Sequence, residues 1–207
     1  MAKKKTDYHI HPLIAYCQAV IDNIPAKTGK TIAQWMAILK KSGKEANYRA
    51  FLKGEYNLGA TTGAILADLA LGKTKDYTNP KTYLSEASGY IEKMYQGKEA
   101  LRPIHDALVD LVLSLGKDVR ICPCQTIVPV YRDHVFAQIK PTTKTRVDFS
   151  LALKNSKKNP VKRLIDTGGL AKGDRLTHRF ALVSIKEIDA EVKSWVQMAY
   201  DLNPPKE

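Results

Sequence analysis

Five histidines, three cysteines and a scatter of arginines are the groups in this 207-residue chain that could move protons, ligate a metal or grip an anion. His134 follows Tyr131 and Arg132, and His178 stands between Arg175 and Arg179. If the strands carrying these two histidines adjoin, imidazole, phenol and guanidinium groups meet at one edge, as general acid–base chemistry requires. Spacing alone brings no such pair within reach, so no residue is assigned a catalytic role. His9 and His11 lie near the N-terminus, and His105 reads as a residue at the margin of a helix's buried face. Cys122-Pro-Cys124 puts two thiols on one face of an extended segment. The spacing is CxC and no second pair exists, so it reads as small half-buried residues beside a strand bend.

Other motifs fail on their own geometry. Gly29-Lys30-Thr31 and Gly72-Lys73-Thr74 resemble the end of a phosphate-binding loop. That loop needs a glycine where this chain has Ile24 and Ala67, and it needs a preceding strand. Asp148 and Lys154 lack the spaced Glu-x-Lys that would position a metal and a water. No metal and no cofactor is expected, and three cysteines argue against a disulfide framework.

Charge is the more informative signal. The formal net charge is +12, from 33 Lys+Arg against 21 Asp+Glu. Residues 120–179 hold 13 of those cations and only four acids, Asp133, Asp148, Asp166 and Asp174. The flanks 101–119 and 180–207 carry net charges of −1 and −2. Lys and Arg in such density suit an anionic partner, nucleic acid foremost, since phosphate neutralisation supplies most sequence-independent affinity. The candidate contacts on the basic stretch begin with Arg120, Arg132, Lys140, Lys144 and Arg146. Arg175, Arg179 and the two histidines His134 and His178 complete the charged set. Tyr131 is the aromatic fit to stack a base, because Phe149 alternates with Val147 and Leu151 toward a core. Lys154 to Lys158 reads first as a plainly solvated loop. The glycines 168, 169 and 173 form either an anion nest with Lys172 or a plain turn.

These residues must be positioned by helices on one side and strands on the other. Helices are expected from His9 to Ile24, from a Thr31 N-cap to Gly43, from Glu45 to Tyr56 and from Thr61 to Leu71. Asn79-Pro80 opens another, with Leu84, Ala87, Ile91 and Met94 inward. Leu101, Ile104, Leu108, Leu111 and Leu115 mark a further amphipathic helix with Gly116 at its C′ position. The period then falls to two: Val119–Cys122, Ile127–Tyr131, Val135–Ile139, Val147–Leu153 and, after a glycine-rich loop, His178–Val183 read as strands. Ser184-Ile-Lys-Glu187 reads as the capping box of a last helix burying Ile185, Ile188, Val192, Trp195 and Ala199. The strands of 119–153 are too closely spaced for crossover helices, so they form an antiparallel meander. The fold class is α+β: a helical N-terminal half, then a meander sheet flanked by helices, its open face basic. The expected division is a helical domain over 1–72, a linker helix region over 73–100 and an α+β domain over 101–203. Residues 1–5 are expected to form a frayed basic tail.

Lys27-Thr-Gly-Lys-Thr31, Trp35, Lys-Lys-Ser-Gly43 and Glu-Tyr-Asn-Leu-Gly59 resemble the bacterial domain of unknown function 4287. The stretch from Leu101 to Asp201 is similar to domain of unknown function 5655. The features that carry this second likeness are Leu115-Gly-Lys-Asp-Val119, Tyr131, Phe136-Ala137, Lys140-Pro141, Leu-Ala-Leu153, His178 and Ile188-Asp-Ala-Glu-Val192 with Ala199-Tyr200. The resemblance implies no agreed activity; the second family occurs alone and beside nuclease-like domains, which favours nucleic acid. No apolar run is long enough to span a membrane and no signal peptide opens the chain, so a cytoplasmic protein is expected. Three functions stay open: a nucleic-acid-associated binding protein, an adaptor docking a protein through its N-terminal helices, and a small-anion binder or enzyme.

Overall fold

A computed structural model describes residues 6–74 and 78–205; the expected basic tail over 1–5 and residues 75–77 of the expected linker helix region lie outside these. The chain forms two compact units, one of Ile10–Glu86 and one of Met1–His9 with Ala87–Glu207.

In the helical unit, α1 (Pro12–Thr28), α2 (Ile32–Ser42), α3 (Tyr48–Tyr56) and α4 (Ala60–Ala70) enclose a small core of Ile24, Trp35, Leu39, Tyr48, Leu52 and Leu66. Thr31 caps α2 as expected. Its hydroxyl accepts from the Gln34 N–H, and the Gln34 side chain accepts from the Thr31 N–H at 2.8 Å, a reciprocal box. The first helix departs from expectation at both ends. It starts at Pro12, with the His11 ring as its cap, and it continues through Pro25 to Thr28. Proline removes one donor, but Gly29 in the left-handed region (φ 68°) closes the helix by donating to the Pro25 carbonyl at 2.9 Å. Both Gly-Lys-Thr triplets thus follow helices, and neither forms a phosphate loop.

Helix α5 (Pro80–Tyr95) leads into the second unit. Its Leu84 is exposed, and Tyr83 is buried in its place. After it come α6 (Arg102–Leu113), strands β1 (Arg120–Ile121), β2 (Val128–Tyr131), β3 (Val135–Lys140), β4 (Val147–Leu151), β5 (Ile165–Asp166) and β6 (His178–Leu182), and helix α7 (Ala190–Asp201). The sheet is antiparallel throughout with order β1-β2-β3-β4-β6-β5, a meander over its first four strands. The class is α+β, as the period change in the sequence implies. One core unites α6 and α7 with the sheet through Leu108, Val112, Phe149, Phe180, Trp195 and Val196.

Three local expectations are corrected. Ser184 caps only a single 3-10 turn over Ile185–Glu187. Glu187 accepts from the Val183 N–H at 2.7 Å rather than closing a box. Asp189, whose carboxylate accepts from the N–H groups of Glu191 and Val192, is the true cap of α7, and Ile185 consequently faces out. Gly116 is not a left-handed cap, since α6 ends at Leu113 with Ser114 as its C-cap and the φ of Gly116 is not positive; a side chain at 116 would overlap the Tyr200 hydroxyl. His105 is fully inside, against the ring of Tyr95 at 5.0 Å.

Candidate anion-binding surface

The sheet separates the two histidines that could have formed an edge. His178 begins β6, His134 precedes β3, and β4 lies between these strands. The His178 ring instead bonds the Thr177 hydroxyl at 2.9 Å. The sequence-derived candidates fall into three groups.

At the β2–β3 end, Arg132 is engaged on every side. Its Nε donates to Asp118 at 2.6 Å, Nη1 donates to the Tyr200 carbonyl at 2.9 Å, and the guanidinium lies 3.9 Å from the centre of the Tyr200 ring. The Tyr200 hydroxyl donates to the other Asp118 oxygen at 2.7 Å. Burial would raise the Asp118 carboxyl, but the hydrogen bonds from Tyr200 and Arg132 outweigh it and hold it below the usual range. Arg120 donates to the Arg132 carbonyl and lies 3.6 Å from Asp133. Tyr131 is half-buried, and burial pushes its phenol up to about 12. This cluster ties the ends of α6, β2 and α7 together.

On the sheet face opposite the core, Gln138, Ser150 and Arg179 lie in cross-strand register beside Lys140, Asp148 and Ala181. Asp148 is buried between two arginines. Arg179 Nη1 and Arg146 Nε each stand 2.9 Å from its Oδ1, and the Thr142 hydroxyl donates to Oδ2 at 2.7 Å. Two cations sharing one anion keep this face less basic than its arginine count suggests. Lys140 and Lys144 stand exposed at its margin.

The third group is where unneutralised charge collects. Lys154, Lys157, Lys158, Lys162, Lys172 and Arg175 are exposed, and among the described residues none of them pairs with a carboxylate. They lie on two loops that border adjoining clefts of about 170 and 300 Å³, which share Lys154 and Leu170. Arg163 secures the first loop to the start of α7, at 2.6 Å from Asp189, 3.2 Å from Glu191 and 3.0 Å from the Glu187 carbonyl. The second loop is closed by its own bonds. Gly168 N–H donates to Asp166, Gly169 N–H to Thr167 Oγ1, and Asp174 N–H to the Gly169 carbonyl at 2.8 Å. Those amides are committed, so the glycines form an ordered turn and not an anion nest.

Trp195, Ser156 and Leu170 border these clefts too, although nothing in their spacing marks them for a part in binding. Trp195 sits in the core, 1% exposed, as the apolar stripe of the last helix implies. The signal that could have singled it out is chemical: an indole N–H in a core needs an acceptor.

The cysteine pair carries no site. Burial pushes Cys122 up to about 12 and Cys124 up to about 11, so both are thiols at neutral pH. Among the described residues no group of three His, Cys, Asp or Glu side chains could hold a metal ion, and no helix is long and apolar enough to cross a membrane.

The α+β unit so described corresponds to a recognised domain. The chain belongs to the family described as Domain of unknown function (DUF5655), which matches residues 91–203. A second family, Domain of unknown function (DUF4287), matches residues 17–70, within the helical unit. No curated protein and no solved structure matches the chain.

Proposed function

We propose that this chain is a binding protein for phosphate-bearing polymers, nucleic acid first among them, and that it engages them through the loops flanking β5. The observation that carries this reading is the division of the cations. Arginines on and beside the sheet are held by Asp118, Asp148 and Asp189, whereas six cations over 154–175 are exposed, without a carboxylate partner among the described residues, on loops bordering two clefts. Lysine ammonium groups spread over two loops neutralise successive phosphates without reading bases.

Fluorescence anisotropy with single- and double-stranded oligonucleotides at 50 and 200 mM salt tests this. Binding is expected to weaken steeply with salt. Replacing Lys154, Lys157, Lys158 and Lys162 by alanine is expected to flatten the slope by about 0.9 for each phosphate no longer neutralised. Absence of binding at low salt, or a quadruple variant that binds as the parent does, overturns the reading.

A second reading, docking of a protein through the helical unit, is favoured by one observation. Ile10, just before α1, and Leu13 and Tyr16, in its first two turns, stand exposed. A docking role predicts association that survives high salt and is abolished by Leu13→Glu.

A further inference from the structure

The smaller cleft has a composition that a solvated lysine surface does not require. Its walls are apolar where Leu153, Pro160, Leu164 and Leu170 contribute, and its polar groups are nearly all donors or cations. Trp195 lines it, and the buried Trp195 Nε1–H has no acceptor among the described residues. A buried donor left without a partner costs on the order of 1–3 kcal/mol. Lys158 Nζ lies over the Trp195 ring, 5.0 Å from its centre. Ser156 directs its hydroxyl at the Met198 sulfur at 3.2 Å and the Lys158 carbonyl at 3.4 Å, a weak and a long contact that a charged oxygen would displace. Lys154, Thr177 and His178 complete the lining, and no Asp or Glu takes part.

We infer that this cleft is a site for a terminal phosphate monoester. The inference rests on the reading of the surrounding loops as a phosphate-attracting surface. A monoester dianion presents three strongly accepting oxygens; the lining offers them a hydroxyl, two ammonium groups and the side chain of Trp195, whose buried N–H lacks an acceptor among the described residues. A carboxylate has only two oxygens for these donors. A cavity of about 170 Å³ has the volume of five or six waters at roughly 30 Å³ each, room for a phosphate and its first carbons. The apolar wall suits that carbon, and the adjoining cleft, where Asn155, Arg175 and Asn203 stand with Asp174, lies where the rest of the ligand would continue. The monoester is either that of a small phosphorylated molecule or the phosphorylated end of a nucleic-acid strand.

The two tryptophans supply an internal control. Trp35 Nε1 already donates to Thr28 at 3.0 Å, whereas Trp195 Nε1 has no acceptor among the described residues. In ¹H–¹⁵N spectra of the full chain, with Trp35→Phe used for assignment, inorganic phosphate is expected to shift the Trp195 indole resonance saturably and leave that of Trp35 in place. A 5′-phosphorylated oligonucleotide is expected to shift it at lower concentration than the same strand ending in a hydroxyl; a mononucleotide compared with its nucleoside covers the small-molecule source. Lys158→Ala and Ser156→Ala, both outside the core, are each expected to weaken the response about tenfold, the effect of removing one charge-assisted or hydroxyl hydrogen bond. An indole resonance unmoved by inorganic phosphate and by every phosphorylated probe overturns the inference, as does a shift unchanged in both variants. If oligonucleotides bind with steep salt dependence yet the Trp195 resonance ignores the terminal phosphate, the site fails and the proposed function stands. If phosphate and a mononucleotide shift it through Lys158 while no strand binds, the site stands and the proposed function fails.

Discussion

Individual side chains in this chain are spent on each other more than on solvent. Asp118 illustrates this, receiving the Arg132 guanidinium and the Tyr200 hydroxyl together. Its carboxyl titrates below the ordinary value, so its contribution to stability is complete above the unfolded value of roughly 3.9 and is lost as pH falls through the folded one. Asp118→Asn is expected to cost about 1 kcal/mol at pH 7, modest because the carboxylate is partly exposed. In denaturant titrations at several pH values the gap from the parent should close below about pH 4; a gap constant with pH would show that the charge plays no part. The thiols behave in the opposite sense. With Cys122 near 12 and Cys124 near 11, the reactive thiolate is scarce at pH 8. Mass spectrometry after brief iodoacetamide treatment should find both unmodified in the native protein and both alkylated in denaturant.

At the level of elements, caps and edges decide the boundaries. The reciprocal pair at the start of α2 satisfies two backbone donors that would otherwise be orphaned. Thr31→Ala is expected to destabilise the helical unit by about 1 kcal/mol, read as a lowered midpoint in thermal unfolding. A second glycine effect is steric: a Cβ at Gly169 would stand 2.5 Å from the Leu176 carbonyl, so that turn accepts no side chain without moving. Periodicity in the sequence is enough to place the α2 stripe, since Trp35 and Leu39 are four apart and both buried. It is also enough for the first four strands and β6. Strand β5 escapes it because two residues on a sheet edge, one of them the exposed Ile165, carry no alternation to detect. Ser184 and Asp189 offer two competing caps five residues apart, and only tertiary packing selects the second.

For the molecule as a whole, the charge count locates the basic half of the chain but not which of its cations are paired with carboxylates. Arg132 and Asp118 are 14 residues apart, and Arg163 and Asp189 are 26 apart. Ion pairing at such separations depends on topology, so a linear tally overstates how much of the positive charge on the sheet is free. Among the described residues, the cations on the loops over 154–162 and 172–175 have no carboxylate partner. The cleft beside Trp195 is invisible in the sequence for a related reason: its walls come from β4's continuation, the loop before β5, the turn before β6 and α7.

The Tyr200 hydrogen bond reaches back 82 residues to Asp118, and the helix bearing it also brings Trp195, Val196 and Ala199 to the core. On a ribosome, every strand of the sheet emerges before this last helix does. The nascent sheet therefore has only α6 to cover its apolar side through most of its synthesis, a state in which chains pair wrongly or recruit chaperones. Completion waits for a single late segment, so a premature stop anywhere in α7 should yield an insoluble product rather than a shortened working domain.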